Sequence, residues 1–151
     1  MPPPPPVPGF EARVRESFAR QRFMATLGAR LARVEPGLVE IELPFRDELI
    51  QQHGSLHAGA IASVLDSACG YAAYTRMPAD AAVLSVEYKV NLLAPARGER
   101  FVARGRVVRA GRNVTVCVGD AYAMAAGGGE VHVATMLATM MTVREREGMT
   151  G

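Results

Sequence analysis

Lysine is almost missing from this chain: Lys89 stands alone beside sixteen arginines. Acidic residues nearly balance them, and the formal net charge of +2 is too small to imply a nucleic-acid partner. The arginine bias reads either as codon usage or as provision for phosphate, which a guanidinium binds through paired hydrogen bonds. Cysteine is scarce as well. Cys69 and Cys117 sit in apolar surroundings without the spacing of a metal site, as buried free thiols of a reducing compartment do. The three histidines, His53, His57 and His132, form no ligand cluster, so neither a metal nor another cofactor is expected. No internal repeat is visible, and the N-terminal MPPPPPVPGF has no apolar signal core. The run 57–74, HAGAIASVLDSACGYAAY, is too rich in Ala, Gly and Ser for a membrane span, and it carries Asp66. These absences point to a cytoplasmic protein without a membrane or nucleic-acid partner.

What is present is the composition of one globular domain. Of 151 residues, 49% are apolar and 21% are charged, enough to bury a real core. Residues 1–9 read as a disordered proline-rich tail, and residues 10–151 as a single domain. In 10–23 (FEARVRESFARQRF), Phe10, Val14 and Phe18 recur at helical spacing, which predicts an amphipathic helix that serves as a lid or a packing element. Alternating patterns at 27–34 and 38–45 flank the turn signal Glu35-Pro36-Gly37, the signature of a hairpin. After the polar loop RDELIQQHGSL a helix is expected over 57–74, ended by Met77-Pro78. Four strand-like runs follow at about 82–93, 99–109, 112–124 and 130–143, with Ala110-Gly111 and Gly127–Gly129 as turns. This order predicts an α+β domain, a long antiparallel sheet wrapped around one helix. The last strand is apolar on both faces, and the helix covers only one of them. A further subunit is expected on the other.

The helix at 57–74 carries one residue certain to be charged, Asp66. On a helical wheel, Gly59, Ala62, Ser63, Cys69, Gly70 and Ala73 share its side, while Ile61, Val64, Ala68, Tyr71 and Ala72 lie opposite. The larger side suits the sheet, and the small-residue side suits close approach by another backbone or a ligand. From this alone, Asp66 reads equally as a structural carboxylate paired with an arginine or facing a crevice. A desolvated carboxylate with a raised pKa is also a usable general base. At the helix start, QQHGSLHAGA, Gly54 and Gly59 permit tight turning, and free N–H groups at Ala58 and Gly59 would polarise a carbonyl. His57 alone reads as a cap or a core residue before it reads as a catalyst.

Distance decides how these parts cooperate. Eight residues of helix separate Ala58 from Asp66, on the order of 12 Å. A donor and a base acting on one carbonyl through one water lie within roughly 6–7 Å. One helix therefore does not supply both to the same substrate, whereas two antiparallel copies across a dimer do.

Residues 53–70, HGSLHAGAIASVLDSACG, resemble the G-x-x-H-G-G-x-x-x-x-L-x-D motif of hotdog-fold acyl-CoA thioesterases of the phenylacetate-degradation (PaaI-like) group. The likeness extends from about Phe23 to Val143 and includes LSVEYKVNLLAPA (84–96) and VVRAGRNVTV (107–116). The resemblance implies a hotdog fold and hydrolysis of an acyl-CoA thioester, with coenzyme A as part of the substrate. It implies that Asp66 activates water or attacks directly, that the N–H of Ala58 polarises the carbonyl and that Ser85 orients the water. Gln51 falls where that family has an Asn, and Ala58 where it has a Gly. Gln51 and Ala58 of one subunit would meet Asp66 and Ser85 of another, so the protein would be at least a dimer. The doubly apolar last strand extends this to a homotetramer. Arg109 and Arg112 flank a probable turn and serve either hairpin solubility or the phosphates of coenzyme A. Gly59, Leu92, Met77 and Tyr74 are candidate pocket residues. Two other readings stand beside hydrolysis: a non-catalytic acyl-CoA binder, and a hotdog hydratase or dehydratase, whose proline-containing catalytic loop is not found.

Overall fold

The alternation in LVEIELP becomes a strand with Val39, Ile41 and Leu43 fully buried and Glu40 and Glu42 on the opposite face. The same rule organises the rest of the chain, which a computed structural model describes over residues 5–144. Its elements are α1 (Phe10–Arg20), α2 (Arg22–Leu27), β1 (Arg30–Glu35), β2 (Leu38–Pro44), a short 3₁₀ turn (Asp47–Leu49), α3 (Ala58–Tyr74), β3 (Ala81–Leu92), β4 (Arg100–Ala110), β5 (Val114–Met124) and β6 (Glu130–Arg144). The strands form one sheet in the order β1-β2-β4-β5-β6-β3, and every neighbouring pair is antiparallel. With α3 laid across its inner face, this is the hotdog arrangement that the resemblance implies.

Glycine sets how closely helix and sheet approach. A methyl group added at Gly105 of β4 would run into the Ala68 carbonyl and lie 2.5 Å from the Cys69 nitrogen. One added at Gly119 of β5 would lie 2.8 Å from Cys69 Sγ and 3.1 Å from Leu65 Cδ2. The α3 backbone thus rests directly on Gly105, and its Cys69 and Leu65 side chains rest on Gly119. This corrects the wheel. Cys69 and Ala73, grouped with Asp66 on the side reserved for a ligand or partner, are fully buried, and Cys69 lies against Gly119. Tyr71, expected to face the sheet, instead meets Phe18 of α1 edge-on with ring centres 5.8 Å apart. Cys69 fits against the sheet because Gly105 and Gly119 leave room for it.

The expected helix 10–23 is two helices. Gln21 is extended (φ −80°, ψ 92°), and its Oε1 accepts from Ser67 Oγ of α3 at 3.1 Å. Gly28, at φ +76°, then closes α2, and so β1 begins at Arg30 rather than at residue 27. The outer helix is a packing element. Arg13 of α1 donates to the carbonyls of Tyr74 (2.8 Å), Met77 (2.9 Å) and Pro78 (2.7 Å), and its guanidinium lies 4.4 Å from the Tyr74 ring centre. A cation therefore sits at the negative end of α3, where carbonyls lack helical partners.

β6 buries Ala134, Met136, Ala138 and Met140 on its helix side. Its other face is bare in the protomer, with Leu137 54% and Met141 41% exposed. Residues 5–9 carry no helix or strand, and the rest of the proline run lies outside the described residues.

Candidate functional site

The start of α3 is built by a tight loop. Gly54, at φ +82°, turns the chain so that its N–H reaches Gln51 O (3.0 Å) while Gln51 N–H reaches Ser55 O (2.8 Å). A bridge pairs Ile50 with Leu56, and His57 N–H closes onto Leu49 O at 2.8 Å. The Gln51 side-chain oxygen accepts from the His53 N–H. His57 is the N-cap (φ −61°, ψ 136°), and its Nδ1 accepts from Gly59 N–H at 2.8 Å. This corrects one expectation: the Gly59 N–H is not a free donor, because the imidazole satisfies it. The Ala58 N–H has no partner among the described residues and points where the positive end of the helix dipole is strongest.

Asp66 lies two turns further along α3. Ser85 of β3 donates to its Oδ1 at 2.6 Å, and the Ser85 hydroxyl also lies 3.4 Å from Met140 Sδ. The strand bulges between Ser85 and Glu87. Burial holds the Asp66 carboxyl above the usual carboxylate pKa, and the Ser85 hydrogen bond opposes part of that rise. No arginine pairs with it among the described residues. A desolvated carboxylate with one hydroxyl donor accepts a proton more readily than an exposed one.

A cleft of about 540 Å³ opens beside the helix start. It is lined by the 51–58 loop, Ile61 and the segment 92–97. Among the predicted site residues it brings together Gln51, Ala58 and Leu92, while Asp66 and Ser85 do not line it. The protomer therefore separates the unpaired amide from the desolvated carboxylate. Arg109 and Arg112 stand at the far end of the β4–β5 hairpin, exposed and away from this cleft. Tyr74 and Met77, expected as pocket residues, belong to the core beneath α1 instead. Ser55 and Arg97 are cleft residues that sequence reasoning did not select. They sit in loops, where no periodicity marks a side chain's direction. Among the described residues no three His, Cys, Asp or Glu side chains converge as a metal site would require, and no helix is long and apolar enough to cross a membrane.

Comparison with known proteins agrees with this fold. A family profile described as "Thioesterase superfamily" matches residues 53–127, the stretch from the helix-start loop to the β5–β6 turn. A crystal structure of a thioesterase family protein from Silicibacter pomeroyi is 54% identical, covers 91% of this chain and all of that one, and superposes with a TM-score of 0.89. The E. coli PaaI protein of the phenylacetic acid degradation operon shares the fold, with a TM-score of 0.78 over 89% of this chain and 93% of its own at 16% identity. A Saccharolobus solfataricus protein provisionally named an esterase is 34% identical over 90 residues, which are 60% of this chain and 64% of that relative's own length.

Proposed function

The chain belongs to the thioesterase superfamily, and from that membership we propose that it hydrolyses an acyl-CoA thioester to a free acid and coenzyme A. One observation carries the reading: a desolvated carboxylate without a cationic partner, hydrogen-bonded by Ser85, on the same helix as an unpaired N-terminal amide. Neither feature helps a protein merely to fold. A half-buried charge without a salt bridge costs stability, and such costs concentrate where chemistry is done.

The site is made by two copies. Along α3 the Ala58 amide and Asp66 are about 12 Å apart, too far to share a carbonyl and one water. β3 is the longer of the two edge strands of the sheet, and its exposed residues include Leu84, Val86 and Tyr88. An apolar, unpaired edge of this length invites pairing with another strand. β3 of a second copy, added antiparallel, covers it and turns the two α3 helices head to tail. The thioester carbonyl then rests on the Ala58 N–H and the Gln51 amide of one copy. Asp66 of the other takes a proton from a water held by Ser85. Hydroxide oxygen bonds to the carbonyl carbon, the C–S bond breaks, and coenzyme A leaves as the thiolate. Arg109 and Arg112 offer guanidinium groups to its phosphates. The bare outer face of β6 lets such dimers associate into tetramers. Direct attack by Asp66 on the carbonyl, followed by hydrolysis of the anhydride, uses the same groups.

The test is thiol release from a panel of acyl-CoAs by wild type and Asp66→Asn. Turnover by wild type with a loss of at least a hundredfold in the variant is expected. Wild type that releases no thiol from any member would end the thioesterase reading, and a fully active variant would end the role given to Asp66.

A further inference from the structure

Ser55 is 4% exposed and still forms part of the cleft wall. Its Oγ accepts from Arg97 Nε at 3.1 Å, and its own proton has no acceptor among the described residues. Arg97 spends one more donor, through NH2, on His53 O at 3.3 Å. A guanidinium has five N–H donors, so NH1 and the second NH2 proton remain unassigned, and no described carboxylate forms an ion pair with Arg97. The cleft lining also includes the apolar Ile61, Leu92, Leu93 and Pro95. A cation and an unspent hydroxyl proton in the wall of a largely apolar cleft are a recognition device for something apolar that carries an anion.

We propose that Ser55 and Arg97 form an anion subsite, which takes a carboxylate or phosphate oxygen carried by the thioester substrate. The proposal rests on the thioesterase reading and adds a substrate class to it. Ser55 lies three residues before Ala58, so the two are at most about 11 Å apart along the chain. With the thioester carbonyl on the Ala58 N–H, an acyl chain of roughly four to six carbons places a terminal carboxylate within hydrogen-bond reach of Ser55 and Arg97. The first phosphate of a pantetheine carrier is about 16 Å from the sulfur along an extended arm, and it arrives only if the arm folds back. Reach therefore favours a dicarboxylic acyl group, though both sources present the same oxygen chemistry to the same donors.

The experiment compares wild type, Arg97→Met and Arg97→Lys on three matched thioesters: hexanoyl-CoA, the mono-CoA thioester of adipic acid, and hexanoyl-pantetheine, which has no phosphate. If the anion is the acyl carboxylate, Arg97→Met lowers kcat/KM for the adipoyl substrate at least tenfold more than for hexanoyl-CoA, and Arg97→Lys regains part of that. If it is the phosphate, the two CoA substrates lose alike, mainly through KM, and hexanoyl-pantetheine loses at least tenfold less. Equal losses on all three, or no loss on any, overturn the subsite. Titration of adipate and hexanoate by calorimetry, with pantetheine 4′-phosphate as a third probe, keeps the test independent of turnover. The subsite requires wild type to bind adipate or the phosphate at least tenfold more tightly than Arg97→Met does. Wild type without thiol release on any substrate would remove the thioesterase reading, and this titration would still decide the subsite.

Discussion

Gly105→Ala tests the link between helix–sheet packing and the site. The added methyl group would stand against the Ala68 carbonyl and 2.5 Å from the Cys69 nitrogen. Optimal contact distances begin at about 3.5 Å, so the clash demands roughly 1 Å of separation. Its partners are backbone atoms in mid-helix, and no rotamer change relieves it. Either α3 lifts from the sheet or β4 bends away. Overpacking of this kind costs about 1–3 kcal/mol, which urea denaturation detects as a lower midpoint at unchanged slope. Asp66 lies two residues before Ala68 on the same rigid helix, and its hydrogen bond to Ser85 spans 2.6 Å from helix to β3. Displacement by about 1 Å of a group in the reacting geometry costs on the order of a hundredfold in rate. Steady-state kinetics should therefore show kcat falling far more than the loss of folded protein explains. Gly127→Ala is the control, because a methyl there meets nothing within 4 Å. A Gly105→Ala protein with wild-type denaturation midpoint and wild-type kcat would refute the reasoning.

Other substitutions probe single parts. Ser85→Ala removes the hydroxyl that opposes the raised pKa of Asp66, so the acid limb of the pH–rate profile should move to higher pH; an unmoved limb would separate that limb from Asp66. Because burial raises this carboxyl above its unfolded value, the native state holds its proton more tightly. Its contribution to stability is then greatest in acid and declines as pH rises through the folded pKa. Asp66→Asn should accordingly be at least as stable as wild type at neutral pH, with the difference closing in acid, as thermal melts across pH would show. Arg13→Met deletes three charge-assisted bonds to carbonyls at the end of α3 and should cost about 2–3 kcal/mol, with KM little changed, since α1 does not line the cleft.

Much of this fold can be read along the chain, because a strand with one buried face repeats every two residues and a buried helix leaves a long uncharged run. HAGAIASVLDSACGYAAY is nearly α3 itself, and β2 and β6 begin and end within a residue or so of their patterns. Features that depend on a distant partner were not legible. Gln21 breaks the N-terminal helix where its side chain meets Ser67 of α3. The wheel kept Cys69 away from the sheet, yet Gly105 and Gly119, remote in sequence, make room for it there beside Ala68 and Leu65. The site divides in the same way. Asp66 declares itself as a lone charge, whereas Ser85 is reached only through the family resemblance, because its hydrogen bond joins a helix to a strand nineteen residues on. His57 takes up the Gly59 amide through a cap whose geometry no spacing rule predicts. Ser55 and Arg97 meet only once the 51–57 loop is folded against the segment after β3, where Leu56 N–H bonds Ala96 O at 2.9 Å.

The central claim, an active site assembled from the Ala58 amide of one copy and Asp66 of another, has a direct test in subunit mixing. Ala58 is the first residue of α3 and has no partner for its N–H among the described residues, and His57 before it already has the extended backbone that a following proline requires. Ala58→Pro thus deletes the proposed donor while leaving the helix intact, and it should cost about 10²–10³ in kcat. Asp66→Asn deletes the proposed base. Unfolded together in equal amounts and refolded, the two inactive variants should regain about a quarter of wild-type activity, because half of the dimers are mixed and each carries one complete site. A mixture no more active than its separate components, with mixed dimers verified by mass spectrometry, would contradict the account.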